Sequence, residues 1–202
     1  MIPAIVLAAG QSTRMGRPKA LLPLGPGETF LTHIISTFRA AGVDDVLVVV
    51  GHEAQTVVDA VQRSGDMARF VMNPDFETGQ LTSLLAGLRA IDRPGVVAAL
   101  VTLVDAPRVE PTTVRAVLDR YRHTHAPIVR PVNGARHGHP VLIDRSLFAD
   151  LRTADPSRGA KAVVRAHASA AGDVEVDDEG AFADIDTPAD YEALLSGLRR
   201  EL

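Results

Sequence analysis

Between two apolar stretches, Ile5 to Ala9 and Leu21 to Leu24, the chain carries Gly10-Gln11-Ser12-Thr13-Arg14-Met15-Gly16-Arg17-Pro18-Lys19. Glycines bound this segment, and cations lie within it and at its end. Gly10 and Gly16 allow backbone conformations that a side chain would forbid. Successive N–H groups can therefore turn toward an anion while Arg14 and Lys19 supply positive charge. That chemistry suits the phosphates of a nucleotide. The second glycine is not followed directly by Lys and then Ser or Thr, and no G-x-G-x-x-G occurs. Neither a P-loop ATPase nor an ordinary Rossmann dehydrogenase is the first reading.

A site that does chemistry on a nucleotide's phosphates must offset the negative charge on their oxygens, so it needs cations more than a nucleophile. Lys19 is the best protein cation for that role, and Arg14 is the second. Asp105 follows the almost continuous apolar run Val96 to Val104 and precedes Ala106-Pro107. A carboxylate where a buried strand ends can hold magnesium, which takes one or two carboxylates plus phosphates and water; the competing reading is a helix N-cap. Asp184 and Asp186 point to the same side of an extended segment, so periodicity does not choose between them as a second ligand. Asn73 to Leu84 links a strand to a helix with small and hydroxyl residues that let a flat base approach the backbone. His137 and His139 lack the third ligand that zinc needs. Ser12 lacks the G-x-S-x-G elbow of a hydrolase.

These residues need a scaffold, and the pattern supplies one. Ile2 to Ala8, Val46 to Val50, Phe70 to Met72, Val96 to Leu103 and Ile128 to Val129 read as strands. Thr29 to Ala41, Glu53 to Arg63, Gln80 to Ile91, Pro111 to His123 and Pro188 to Leu198 read as amphipathic helices. The alternation predicts an α/β fold, three-layer α/β/α and Rossmann-like, with a mainly parallel (mixed) sheet whose ligands lie beyond the carboxyl ends of the strands. Gly134 to Gly138 and Pro156 to Gly159 read as loops that close over an acceptor.

A chain of 202 residues that is 46% apolar is read as one domain, 1–202, with a well-buried core. A net charge of -4, with Lys and Arg spread along the chain, argues against nucleic-acid binding. No cysteine is present, so no disulfide or thiolate metal site can form. The apolar stretches are too short to span a bilayer and Met1-Ile2-Pro3 does not open a secretion signal, so a cytoplasmic location without membrane contact is expected.

Leu7 to Pro23 reads L-A-A-G-x-S-x-R-M-G-x-x-K-x-L-L-P and resembles the opening of the MobA-like nucleotidyltransferases. Counterparts follow in order at Gly79 to Leu84, Val104 to Pro107, Gly138 to Leu142 and Asp184 to Pro188, so the resemblance covers nearly the whole chain. Ala8-Ala9 resembles the molybdenum-cofactor cytidylyltransferase branch, whereas guanylyltransferase relatives more often carry a second glycine there. The resemblance implies an Mg2+-dependent transfer of CMP from CTP to the phosphate of molybdopterin, with pyrophosphate leaving and a molybdoenzyme or its chaperone as a further partner. It implies catalytic roles for Lys19, Arg14 and Asp105, and nucleotide contacts from Leu7, Ala8, Ala9, Gly10, Gly16, Lys19, Gly79 and Ser83. Asp105 and Asp186 are the implied metal ligands, the D-x-D-T-P pattern favouring Asp186 over Asp184, and His139 is implied to shape the acceptor side. Gln80 stands where the family often has Met. Within the class, GTP or another phosphorylated acceptor is the alternative; outside it, an NAD(P)H-dependent reductase or a nucleotide sensor on the same fold.

Overall fold

The structure is a computed structural model that describes residues 1–198. In chain order the strands are β1 (Ala4–Ala8), β2 (Pro23–Gly25), β3 (Glu28–Thr29), β4 (Val46–Val50), β5 (Arg69–Met72), β6 (Ala98–Leu103), β7 (Ile128–Asn133), β8 (Arg136–His137), β9 (Val141–Asp144) and β10 (Asp173–Glu175). The α-helices are α1 (Phe30–Ala40), α2 (Ala54–Ser64), α3 (Gln80–Ile91), α4 (Pro111–Thr124), α5 (Phe148–Arg152), α6 (Gly159–His167) and α7 (Pro188–Leu198). No described helix is long and apolar enough to cross a membrane.

Every residue of β1 and β4 is buried, as expected of central parallel strands covered on both faces. Alternate residues serve different faces. Ala4, Val6 and Ala8 pack with apolar residues of α1, α2 and α4, such as Ile35, Val57 and Val117. Ile5 and Leu7 pack with Leu84 and Leu88 of α3, with Phe148 and Leu151 of α5, and with Val163 and Val164 of α6. The result is the expected three-layer α/β/α arrangement. The sheet runs β10-β7-β9-β6-β1-β4-β5, with β8 paired to β7. Strands β6, β1, β4 and β5 are parallel, as are β10 and β7, while β9 is antiparallel to both neighbours. After β1 the chain crosses to β4 on one side and later to β6 on the other. That reversal leaves a crevice at the carboxyl ends of β1 and β6, where open α/β sheets bind ligands.

A smaller cluster, Leu22, Leu24, Phe30, Ile185 and Leu194, lies apart from the two sheet-facing cores. Phe30 meets the Tyr191 ring edge-on at 5.8 Å between centroids, and the Tyr191 hydroxyl donates to the Pro23 carbonyl at 2.7 Å. This cluster ties the segment after Lys19 to the segments flanking Asp186.

The sequence-based spans shift in places. The first strand begins at Ala4 rather than Ile2, β6 begins at Ala98 rather than Val96, and β7 continues past Val129 to Asn133. Gly134 to Gly138, read from sequence as a loop, forms the β7–β8 hairpin turn, strand β8 and the start of the link to β9; Arg136 within it holds Glu179 through two bonds of 2.7 Å. Pro156 to Gly159 is a turn into α6, a helix that the sequence reading did not anticipate.

Candidate active site

After β1 the chain makes two short 3-10 turns, Thr13–Met15 and Lys19–Leu21. The first is entered and left in the left-handed region, by Ser12 at φ 51° and Gly16 at φ 67°. Gly16 thus meets the expectation for a residue without a side chain. Gly10 does not: its backbone lies outside the left-handed region, and a Cβ there would meet nothing within 4 Å. The conformational freedom expected of Gly10 is therefore not used here. Ser12 takes on the strained turn, and its Oγ accepts from the Lys19 backbone N–H at 3.0 Å, closing the loop.

That closure aims Lys19 into a cavity of ≈ 290 Å³. Leu7, Ala8, Ala9, Gly10 and Arg14 line it from the β1 side, Asp105 from the end of β6, Ser83 from α3 and Asp186 from the segment before α7. Gly16, Gly79 and His139 do not line it. Gly16 ends the first 3-10 turn, and Gly79, at φ 124°, precedes the first residue of α3. His139 lies close enough for its ring to feel the charges of Asp184 and Asp105.

Lys19 is buried, and its Nζ lies 2.6 Å from Asp186 Oδ1 and 3.3 Å from Asp105 Oδ2. Arg14 Nη2 stands 3.3 Å from the same Asp186 oxygen. A buried ammonium without a partner would cost several kcal/mol, roughly, so this pairing is what allows Lys19 to sit here. The Lys19 hydrogen bond, with the Lys19 and Arg14 charges, holds the Asp186 carboxyl below its ordinary 3.8. The carboxyl of Asp184, which does not line the cavity, is raised instead, first by the loss of surrounding water and then by the Asp105 charge. Burial pushes His139 below its ordinary 6.5, leaving a neutral imidazole at pH 7. As a residue His139 is half-buried, but its Nδ1 is inaccessible and has no hydrogen-bond partner.

The helix-cap reading for Asp105 falls away, and Asp186 does not serve as a cap either. Glu110, not Asp105, precedes the first turn of α4. Ahead of α7, Thr187 and Asp190 cap reciprocally, the Thr187 N–H donating to Asp190 Oδ2 at 2.8 Å and the Asp190 N–H to Thr187 Oγ1 at 3.2 Å. Both carboxylates are therefore spared from capping. Asp105 Oδ1 is buried without any hydrogen-bond partner, an arrangement that a cation would satisfy. Among the described residues no group of three or more His, Cys, Asp or Glu forms a metal cage. Two carboxylates facing this cavity fit magnesium, which commonly takes its other ligands from phosphate and water.

Beside Ser83, Asn73 is buried, and sequence reasoning named it only as the start of the Asn73 to Leu84 segment, with no role of its own. Its Nδ2 donates to Thr82 Oγ1 at 2.9 Å and to Ser83 Oγ at 3.0 Å, and its Oδ1 accepts from the Asp75 N–H at 3.1 Å. The Thr82 hydroxyl also lies within 2.9 Å of the Asp75 carbonyl and 2.8 Å of that of Gly79, so Thr82 shapes the loop. Ser83, whose Oγ accepts from Asn73, lines the cavity. Phe76 and Gln80 complete this wall. An Asn directly after a strand and ahead of a hydroxyl-rich helix start was the available signal for Asn73.

Comparison with known proteins gives the chain relatives. The family described as MobA-like NTP transferase domain matches residues 4–171. The nicotine blue oxidoreductase of Paenarthrobacter nicotinovorans is 32% identical over 96% of each chain. A probable molybdenum cofactor guanylyltransferase of Mycobacterium avium is 29% identical over 94% of this chain and 93% of its own. Among solved structures, Rv0371c of Mycobacterium tuberculosis in complex with manganese superposes with a TM-score of 0.74 at 30% identity, covering 96% of this chain and 98% of that one.

Proposed function

We propose that this chain, which belongs to the MobA-like NTP transferase family, acts as one domain that moves CMP from CTP to the terminal phosphate of molybdopterin or its molybdenum-loaded form. One observation carries the reading: Lys19 lies within reach of both Asp105 and Asp186 in the cavity that also holds the Gly10 loop and Arg14. In this reading the acceptor phosphate oxygen attacks the α-phosphorus of CTP, the new P–O bond forms as the bond to the β-phosphate oxygen breaks, and pyrophosphate leaves. Lys19 and Arg14 exchange their carboxylate partners for the incoming polyphosphate and stabilise the charge that grows on the leaving oxygens. Asp105 and Asp186 would hold magnesium, which supplies charge neutralisation at the phosphates; the manganese complex of a 30% identical protein supports a divalent ion. Ser83, held by Asn73, donates to an acceptor atom of the base. His139, neutral and beside Asp105, borders the acceptor side. A cytoplasmic location belongs to this reading.

The base is argued from Ala8-Ala9, while a relative named guanylyltransferase keeps GTP as the alternative within the class. A second reading has its own observation: the 32% identity to an oxidoreductase over nearly the whole chain. The absent G-x-G-x-x-G and the cation–carboxylate cluster favour transfer. Pyrophosphate release from each of the four NTPs with magnesium, with and without molybdenum-loaded pterin, decides between them when run beside NAD(P)H oxidation. Release with CTP plus cofactor alone, abolished in Lys19→Ala, is expected. NAD(P)H consumption without any pyrophosphate would replace transfer by reduction.

A further inference from the structure

The segment from Asp178 to Asp186 contains no α-helix or strand, only the 3-10 turn Glu179–Phe182. Its position therefore depends on what grips it. Asp178, buried, takes three hydrogen bonds: Oδ2 accepts from the Glu110 N–H at 2.9 Å and from Thr113 Oγ1 at 2.7 Å, and Oδ1 from the Gly180 N–H at 2.9 Å. Two of those donors belong to the start of α4, whose amino-terminal dipole favours a carboxylate. Beyond this anchor the segment lies in close backbone contact with the scaffold. A Cβ on Gly180 would stand 2.0 Å from the Arg108 carbonyl oxygen, and one on Gly138 would stand 2.3 Å from that of Ala181. His139 N–H donates to the Ala181 carbonyl at 2.8 Å, and the Ile185 N–H donates to the carbonyl of Asp105 itself at 2.8 Å. The last bond joins the two segments that carry the candidate metal ligands.

We propose that Asp178 is a positioning residue, clamping this segment to α4 so that Asp186 stands beside Asp105 where one divalent cation can be shared. The proposal rests on the transfer reading given above. Asp178 touches neither nucleotide nor metal; it acts through the backbone from Gly180 to Ile185. Its amide analogue, in Asp178→Asn, has nearly the same size but turns an N–H toward donors. Thr113→Val removes one of the three donors and leaves the shape of the side chain.

Both full-length variants are compared with the wild type in three measurements: Mn2+ binding by electron paramagnetic resonance with CTP and no acceptor, amide exchange at Ile185, and kcat against KM. Outer partners of metal ligands typically cost 10–100-fold in affinity or activity when removed, roughly. Asp178→Asn is expected to weaken Mn2+ binding and lower kcat by about 10-fold or more, with KM for CTP little changed and Ile185 exchange accelerated. Thr113→Val is expected to move the same readouts less, and it carries the test if Asp178→Asn does not fold. Wild-type Mn2+ binding and Ile185 protection in both folded variants would reduce Asp178 to a local cap and overturn the proposal alone. A wild type that binds no Mn2+ with CTP would overturn the transfer reading, and the proposal with it.

Discussion

Lys19 is the residue on which the account turns. It is buried, and its Nζ joins two acidic side chains drawn from positions far apart in the chain. The Asp186 carboxyl is depressed in the folded protein. A depressed carboxylate contributes stability that is present above its unfolded value, near 3.8, and lost as pH falls through the lower folded value. Asp186 is substantially exposed, so solvent screens most of that contribution and the titration is the clearer readout. In Lys19→Ala the Asp186 carboxyl is expected to titrate closer to 3.8, followed by carbon-13 NMR, while kcat falls by about 10²–10³-fold, the typical loss for a donor aimed at developing charge. An unshifted Asp186 titration would show that Lys19 does not hold it. The glycine-bounded motif made Lys19, Arg14 and Gly10 legible from sequence, and Asp105 was legible because it ends an apolar run. Periodicity alone did not separate Asp186 from Asp184, since in an extended segment both face one way; the D-x-D-T-P resemblance favoured Asp186, and in the fold it is Asp186 that meets Lys19. The role of Asn73 and the loop-closing role of Ser12 escaped because their work is done by hydrogen bonds to residues that periodicity does not pair.

At the scale of elements, β1 and β6 deliver the loop and Asp105 to one edge, and α3 delivers Ser83. The fit of α3 against β1 depends on Gly87, where a Cβ would stand 2.7 Å from Ile5 Cγ2 and 3.1 Å from Val49 Cγ2 in the core. Gly87→Ala is therefore expected to cost about 1–3 kcal/mol in denaturant unfolding, and to raise KM for the nucleotide by moving Ser83; an unchanged KM would uncouple α3 from base binding. The long helices were legible because their apolar period is strong, and Gln80–Ile91 and Pro188–Leu198 have the spans expected. Shorter elements were not. Strand β9 has four residues and follows Pro140, β8 and β10 are shorter still, and α6 begins at Gly159 behind Pro156-Ser157, a sequence that signals a turn more strongly than a helix.

Across the whole molecule, a chain of net charge -4 gathers Arg14 and Lys19 around one crevice and offsets them with Asp105 and Asp186. The three-layer architecture follows from alternation along β1 and β6, each face of the sheet filling a separate core. The cluster of Leu22, Leu24, Phe30, Ile185 and Leu194 then brings the two ends of the described chain together beside the crevice. No local pattern announces that meeting, because it joins segments separated by most of the sequence. In the proposed transfer reading, this site exchanges its internal ion pairs for a polyphosphate and a divalent cation. The most direct test follows the α-phosphorus itself, with CTP labelled at that atom incubated with magnesium, molybdenum-loaded pterin and the wild-type protein. The account predicts label on the pterin in equal amount to the pyrophosphate released, and none with Lys19→Ala. Label that stays wholly in CTP or appears only as free CMP would contradict it.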